Sequence, residues 1–263
     1  MDLNKYYYVQ QDNGYGLGNF TMCTHTIQAL YNHFGTKVNV KFDMPWVAEY
    51  FQNAPQINII TETKGLKRLF GSKLINTKIY DGQFIYDTVC TQNKLVLGDK
   101  LPTAFAGGFP AAKLDVDVVL FSGNGSNPKI AAQKFVPMSI YNYILTKCKQ
   151  LGLKIWLVGS SLDWNDRMQY YDIQGCESCI DHPMQIAQII KAAKLVIAND
   201  TGLYHYASAM GKTQFVMWGE TNLIKNFNPN SSNYTTISHG SKNWLSDFDK
   251  WFEINTKQFT QRN

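Results

Sequence analysis

One polar segment late in the chain contains the residue types that bind phosphates and sugars. It follows the apolar run at 195–198, and its candidate binding residues are Asn199, Asp200, Thr201, Gly202 and His205. Small polar groups after a strand, with the free N–H groups of a following helix, favour a phosphate at the sheet edge. An aspartate there suits sugar hydroxyls better, because a carboxylate repels a phosphate. Asp and Thr are also preferred helix caps, so an ordinary N-cap is the alternative.

A second group of candidates lies between residues 116 and 160. Ser122 begins a Ser-Gly-Asn-Gly-Ser segment after a β-branched run, and Gly159 ends another apolar run. Lys134 precedes a helical stretch that opens at Pro137. Its ammonium group has the charge and the reach to hold a phosphate near the sheet edge. The alternative is a solvated surface lysine.

The third candidate is a glycine-rich segment near the N-terminus. It contains Gly14, Gly16 and Gly18, is followed by Asn19, and stands between a strand-like run and a helical one. Glycines allow the backbone to approach a ligand closely. The spacing differs from the dinucleotide-binding fingerprint, and no acidic residue follows the second strand, so a tight strand-to-helix turn is the alternative.

The elements that would position these residues alternate along the chain. In the second half, we expect strands at 116–121, 154–158, 195–198 and 214–218 and helices at 137–148, 183–193 and 203–210. Continuous apolar strands between helices predict a parallel sheet covered on both faces. The first half suggests strands at 6–10, 37–42 and 57–60 and a helix at 20–33, whereas 61–101 is not assigned. An uncharged Pro- and Gly-containing stretch at 101–113 predicts a linker, and 243–254 a helix.

The composition of the chain excludes some classes of protein. The chain has 263 residues, of which 44% are hydrophobic and 17% charged, and a net charge of +5. That composition excludes a disordered chain and does not indicate a nucleic-acid binder. The N-terminal segment lacks the pattern of a secretory signal, and no apolar run approaches the ~20 residues of a membrane span. We therefore expect a soluble, cytoplasmic protein.

The five cysteines are widely spread and odd in number, which favours a reducing compartment over a disulfide framework. Cys176 and Cys179 form a single CxxC with no partner pair, so chance spacing is the better interpretation than a metal site.

Taken together, the segments resemble glycosyltransferase family 9, the heptosyltransferase-like enzymes of the GT-B fold. The most specific match is to the family's N-D-T-G-x-x-H-x-A-x-A-x-G-K signature, which here runs from Asn199 to Lys212. The F-G-x-T element that follows corresponds to Trp218-Gly-Glu-Thr221. The K-R-W-P element corresponds to Lys134-Phe-Val-Pro137, and a strand ending L-L-G to Leu157-Val-Gly159.

The N-terminal glycine segment also resembles the family's pattern. The family has G-x-G-D followed by a helix, and here the four positions are Gly16-Leu-Gly18-Asn19. The resemblance covers roughly 14–34 and 116–230 in the family's order.

This resemblance implies two Rossmann-like domains facing across a cleft, with a C-terminal helix crossing back to the first. Residues 1–107 would form the acceptor-side domain, with the helix at 243–258 packed on it, and 108–242 the donor-binding domain. The donor would be a nucleotide-diphosphate sugar and the acceptor a saccharide hydroxyl. A monomer or weak dimer is expected.

The resemblance also implies roles for single residues. Lys134, Thr201 and Gly202 would hold the diphosphate, Asp200 the sugar, and His205 the same loop. The other donor-side residues would be Asn199, Ser122 and Gly159, and the acceptor-side loop would contain Gly16 and Gly18. Positive charge and N–H groups stabilise a leaving diphosphate, so no metal or other cofactor is expected.

In the family's reaction, an acceptor hydroxyl attacks directly and inverts the anomeric centre of the sugar. Such an attack requires a general base. The family places an Asp after its glycine turn, where this chain has Asn19, which cannot take a proton. Asp12 and His25 are the nearest replacements in sequence. Alternatively, Asn19 orients the acceptor while the base comes from residues 40–100, or the protein binds its ligand without turnover.

Three functions stay open at this point. The first is transfer to a precursor of a cell-surface saccharide. The second is modification of hydroxymethylated DNA bases, which would need a basic channel. The candidates for that channel are Lys64, Lys67, Arg68 and Lys73, and the alternative for this cluster is a solvated helix face. The third is a non-catalytic nucleotide-sugar binding protein.

Overall fold

The structure is a computed structural model, and it describes residues 7–11, 16–22, 24–61, 73–76, 104, 113–123, 134, 136–218, 234–238, 243–257 and 259. The chain divides into two compact units. The first is Met1–Pro110 with Ile224–Asn230, and the second is Ala111–Leu223 with Ser231–Asn263. Each contains a parallel sheet with helices, which confirms the predicted α/β fold class.

The first unit is built on a four-stranded sheet of order β3-β2-β1-β4. Its strands are β1 Tyr7–Gln11, β2 Val38–Phe42, β3 Ile57–Ile59 and β4 Lys73–Asn76. Its helices are α1 Leu17–Met22, α2 Thr24–Phe34 and α3 Pro45–Glu49. The described core includes the fully buried Phe20, Ile27, Leu30, Val38 and Val40, so strand β2 and the two helices share one apolar interior.

The segment predicted as one helix at 20–33 is described as helices α1 and α2, with Cys23 between them outside the described residues. Two threonine hydroxyls on either side of Cys23 donate to main-chain carbonyls. Thr21 Oγ1 donates to Leu17 O at 2.8 Å, and Thr24 Oγ1 donates to Thr21 O at 2.7 Å. Such local hydrogen bonds compete with regular helix geometry.

The second unit is built on a six-stranded parallel sheet of order β10-β9-β8-β5-β6-β7. Its strands are β5 Val118–Phe121, β6 Ile155–Gly159, β7 Glu177–Ile180, β8 Leu195–Asn199, β9 Thr213–Trp218 and β10 Tyr234–Ser238. Its helices are α4 Met138–Gln150, α5 Ser161–Asp166, α6 Pro183–Ala192, α7 Gly202–Ala209 and α8 Trp244–Thr256, with a 3-10 turn at Met168–Tyr170.

Strands β5 and β8 are buried along their whole length, which is why they appear in the sequence as unbroken apolar runs. Helix α4 covers the sheet with Ile140, Ile144 and Leu145. The helix ends at Gln150, and Gly152, which follows its C-cap Leu151, has a φ of +63°, a left-handed conformation that glycine adopts without strain.

The predicted return of the C-terminal helix to the first domain stays a prediction. Within the second unit, helix α8 contributes Phe248, Trp251 and Phe252 to the buried core. Phe215 of strand β9 lies 5.0 Å from Phe248 and 5.3 Å from Trp251 between ring centroids. Helix α8 follows strand β10 in the chain, and its aromatic side chains pack on Phe215 of the neighbouring strand β9.

Candidate functional site

The candidate residues of the second unit meet where the strand order reverses. Strand β5 pairs with β6 on one side and with β8 on the other. In open parallel sheets, ligands bind outside the carboxyl ends of the strands at such a point. The chain leaves β5 at Ser122 and Gly123, β6 at Gly159, and β8 at Asn199. We call this edge the switch-point crevice.

Asn199 holds the main chain on the far side of the crevice. Its Oδ1 accepts from Gly123 N at 3.1 Å, and its Nδ2 donates to Gly123 O at 2.6 Å and to Lys134 O at 3.1 Å. The residue is fully buried. The sequence placed Asn199 among the donor-binding residues, whereas these contacts are all to the protein backbone.

Lys134 and Asp200 form an ion pair beside that backbone contact, with 3.3 Å between Nζ and Oδ2. The Asp200 side chain is 1% exposed and that of Lys134 20%, so the carboxylate is almost enclosed while the lysine side chain is partly exposed. Charge pairs at low exposure are screened less than surface pairs. The crevice therefore contains a fixed negative charge and an accessible positive one.

Thr201 precedes helix α7, which begins at Gly202. Its backbone is extended and its side chain does not cap the helix. The Thr201 Oγ1 atom is buried and has no hydrogen-bond partner in the part of the chain that the structure describes. Buried hydroxyls normally find a partner, and this one lies next to the start of helix α7, where the first N–H groups have no partner within the helix.

Gly123 is closely surrounded at the same place. A Cβ atom at this position would lie 3.2 Å from Asp163 Oδ1 and 3.2 Å from Thr201 Cγ2. A Cβ at Gly159 would lie 3.4 Å from Asp163 Oδ2. Because Gly123 and Gly159 have no side chain, the Asp163 carboxylate can lie close to both of them.

Sequence analysis missed Asp163, although a signal was present. Ser160 and Asp163 form a capping box at the start of helix α5, in which Ser160 N donates to Asp163 Oδ2 at 3.1 Å and Asp163 N to Ser160 Oγ at 3.3 Å. A serine followed three positions later by an acidic residue is the mark of this motif. Its closeness to Gly123 depends on the fold and is not visible in the sequence.

Ser122 lies below the surface of the crevice. It is 1% exposed, and its Oγ shares a hydrogen bond of 2.5 Å with the hydroxyl of Tyr171. The Tyr171 ring stacks on Tyr141 at 4.9 Å, and burial raises the pKa of both phenols. Ser122 therefore joins strand β5 to an aromatic support that sequence analysis did not identify.

His205 is a neutral side chain in this environment. It is 5% exposed, and burial, followed by the nearby charge of Lys134, lowers its pKa to about 3. Its ring lies 4.0 Å from that of Tyr204 between centroids. A neutral imidazole on the buried side of helix α7 adds no positive charge to the crevice.

Lys212, the last residue of the matched signature, has a structural contact. Its Nζ donates to Ala193 O at 2.9 Å and also to Lys191 O, at the end of helix α6. Burial lowers the pKa of this ammonium group. The lysine therefore binds the carboxyl end of a helix, a favourable place for a cation.

The acceptor-side candidates lie in the first unit. Gly16 directly precedes helix α1, and Gly18 and Asn19 lie inside that helix, so Gly18 is a buried helical residue and not part of a turn. Asn19 is partly exposed. His25 is 2% exposed within helix α2, which argues against it as a base for a substrate hydroxyl.

Some candidates fall outside the described residues. These are Asp12 and three members of the basic cluster, Lys64, Lys67 and Arg68, while Lys73 begins strand β4.

Cys179 belongs to strand β7 and is buried, and Cys176 lies directly before that strand. Among the described residues, no group of three or more His, Cys, Asp and Glu side chains is placed to hold a metal ion. No described helix is long and apolar enough to cross a membrane.

Several solved structures share this fold. E. coli heptosyltransferase WaaC with ADP has a TM-score of 0.71 at 9% identity, over 95% of this chain and 99% of that one. E. coli ADP-heptose LPS heptosyltransferase II has a TM-score of 0.65 at 14% identity, over 96% of this chain and 99% of that one. The iron-containing dodecameric glycosyltransferase TibC from enterotoxigenic E. coli has a TM-score of 0.59 at 12% identity, over 90% of this chain and 63% of that one.

These identities are low, so the three structures show the fold, that of GT-B heptosyltransferases. No curated protein matches the chain. The model of glycosyltransferase family 9 (heptosyltransferase) matches residues 109–251, which include the switch-point crevice and more than half of the chain. The chain therefore belongs to glycosyltransferase family 9.

Proposed function

We propose that this glycosyltransferase is inverting and metal-independent, and that it moves a sugar from a nucleotide-diphosphate sugar to the hydroxyl of a cell-surface saccharide precursor. The donor binds in the switch-point crevice of the second unit. The observation that carries the proposal is the ion pair of Lys134 and Asp200, 3.3 Å apart at the start of helix α7.

The diphosphate fits the positive side of the crevice. Lys134 presents the ammonium of a partly exposed side chain, Thr201 a buried hydroxyl without a partner among the described residues, and helix α7 the N–H groups of its first turn. Together these supply charge-assisted hydrogen bonds to phosphate oxygens. Asp200 suits the hydroxyls of the sugar. WaaC is known with ADP, and heptosyltransferase II is named for ADP-heptose, so ADP-sugars are the first donors to test.

In the reaction, the acceptor oxygen forms a bond to the anomeric carbon as the bond from that carbon to the diphosphate oxygen breaks. The diphosphate leaves with the electron pair, and attack from the opposite face inverts the anomeric centre. Lys134, Thr201 and the α7 N–H groups stabilise the negative charge that develops on the leaving group. Because the chain itself supplies this stabilisation, the transfer has no need of a metal.

The acceptor proton must pass to a base. Asn19, at the position of the family's Asp, has an amide that cannot accept it, and His25 is enclosed in helix α2. Asp12 is the remaining candidate near the glycine segment. In the proposed mechanism Asn19 orients the acceptor through hydrogen bonds of its amide.

The proposal is tested by incubating the protein with ADP-heptose and other nucleotide sugars, with saccharide acceptors and with hydroxymethylated duplex DNA. We expect nucleoside diphosphate release that depends on a saccharide acceptor and persists in EDTA, with inverted product by NMR. Loss of activity in EDTA would contradict metal independence, and transfer to DNA alone would contradict the saccharide acceptor.

A second candidate function is nucleotide-sugar binding without turnover, which Asn19 favours because it replaces the only acidic residue of the family's glycine motif. Tight binding of a nucleotide sugar by calorimetry, with no diphosphate release for any acceptor, would select this function over transfer.

A further inference from the structure

We propose that Asn199 is a positioning residue that fixes Lys134 for the donor diphosphate and does not itself contact the donor. This inference rests on the proposed donor site, and it assigns to Asn199 a role different from the one expected from the sequence. The argument depends on the hydrogen bonds of one buried amide.

The amide of Asn199 is fully used by main-chain groups. Both of its N–H donors are occupied, one by Gly123 O at 2.6 Å and one by Lys134 O at 3.1 Å. Its Oδ1 accepts from Gly123 N at 3.1 Å. The two carbonyl oxygens can only accept, so they determine which side of the amide carries nitrogen. With the side chain 0% exposed, it presents no donor to a ligand.

Asn199 is itself held rigidly. It is the last residue of strand β8, and in the parallel ladder with β9 it pairs with Met217. Strand β8 also pairs with β5, the strand that ends just before Gly123. The amide therefore joins Lys134 and Gly123 to the centre of the six-stranded sheet.

Lys134 is consequently held at two points by consecutive residues. Asn199 binds its carbonyl at 3.1 Å, and Asp200 binds its ammonium at 3.3 Å. A lysine side chain is long and loses rotamer freedom when it binds an anion. The ion pair with Asp200 restricts the side chain before the donor binds, which reduces that loss, and Asn199 fixes the backbone from which the side chain extends. Together they keep the ammonium where the leaving oxygens develop charge.

The test compares ADP binding by wild-type protein, Asn199→Ala, Lys134→Ala and the double variant by calorimetry. We expect each single variant to bind about fivefold or more weakly, as for loss of one hydrogen bond or more. Because Asn199 acts through Lys134, the double variant should bind as weakly as Lys134→Ala alone. Multiplied losses in the double variant would overturn the inference, as would unchanged binding by Asn199→Ala.

Asn142→Ala is the matched control, since Asn142 also binds the main chain, through Oδ1 to Asp172 N at 2.9 Å, but lies on helix α4. We expect it to bind ADP like the wild type. If Asn199→Ala fails to fold, as judged by circular dichroism, Asn199→Ser replaces it.

A second measurement needs no ligand. Amine-reactive labelling, followed by mass spectrometry, reports how accessible Lys134 is relative to Lys154, whose ion pair with Asp115 is exposed. We expect the labelling of Lys134 relative to Lys154 to rise in Asn199→Ala and to be unchanged in Asn142→Ala. An unchanged ratio in Asn199→Ala would overturn the inference. Failure of the wild type to bind any nucleotide would contradict the proposed donor site, while labelling would still decide the role of Asn199.

Discussion

Lys134 and Asp200 form an ion pair whose two ends differ in exposure. The Asp200 side chain is 1% exposed and that of Lys134 20%, with 3.3 Å between Oδ2 and Nζ. The enclosed end lies at the beginning of helix α7, where N–H groups also favour negative charge. In the proposed donor site, the ion pair with Asp200 therefore holds the ammonium of Lys134 near the start of helix α7 before a diphosphate binds.

Thr201→Val tests the hydroxyl that has no partner among the described residues. Valine has nearly the same shape and replaces the hydroxyl by a methyl group, so we expect ADP affinity to fall about fivefold, as for one hydrogen bond. Stability to denaturant should change by less than about 0.5 kcal/mol, because no described bond is lost.

Thr256→Val is the matched control for that substitution. It is buried in helix α8 and donates to Phe252 O at 2.7 Å, away from the crevice. Its ADP affinity should equal that of the wild type. Equal affinities for wild type and Thr201→Val would show that this hydroxyl does not bind the donor.

Gly123→Ala tests how closely the crevice is packed. The new Cβ would meet Asp163 Oδ1 and Thr201 Cγ2 at 3.2 Å, so one of these side chains must shift. We expect ADP binding, measured by calorimetry, to weaken about fivefold or more. Gly16→Ala is the comparison, since its Cβ would have Trp46 as nearest neighbour at an ordinary 3.8 Å. Similar ADP affinities for both variants would contradict the close packing.

His205 should make stability depend on pH below neutrality. Its pKa is about 3 in the folded protein and about 6.5 when unfolded, so between these values the unfolded state binds one more proton. Stability is therefore lost as pH falls below about 6.5, by up to about 1.4 kcal/mol per pH unit, and this contribution is constant above that pH.

Urea unfolding at pH 4.5, 5.5 and 7.5 checks this dependence, with His205→Gln as the variant that lacks the titrating group. We expect a smaller fall in stability between pH 7.5 and 4.5 for the variant than for the wild type. Parallel pH curves for the two proteins would show that His205 is not the group responsible.

Asn19→Asp restores the carboxylate found in the family's glycine motif. If a base at this position limits the rate, we expect diphosphate release to rise by about tenfold or more, within the range of general-base catalysis. Asn32→Asp is the control, because Asn32 pairs with Gln28 on an exposed face of helix α2. An unchanged rate for Asn19→Asp would place the base elsewhere.

Secondary structure could be predicted best where strands are buried on both faces. Strands β5, β6 and β8 appear as apolar runs because helices cover both sides of the sheet. Strand β7 was missed because two of its four residues are exposed and its run is broken by polar side chains. The aromatic face of helix α8 could be predicted, but the surface that it covers depends on the complete fold.

In the candidate site, too, residue types could be predicted from the sequence, whereas contacts between distant residues could not. Residue types and the matched signature identified Lys134, Asp200 and Thr201, but not that Lys134 pairs with Asp200. The hydrogen bonds of Asn199 could not be predicted, because its partners Gly123 and Lys134 are distant in sequence. Such contacts arise only when the carboxyl ends of β5 and β8 come together.

The most direct test of the donor site is an ADP titration of the wild type, Lys134→Ala and Lys154→Ala by calorimetry at matched ionic strength. Lys154 is the control, because it also pairs with an aspartate but at an exposed position. We expect Lys134→Ala to weaken binding by about tenfold or more, as for a charge-assisted hydrogen bond, and Lys154→Ala to bind like the wild type. Equal ADP affinity in all three proteins would contradict a diphosphate site at Lys134.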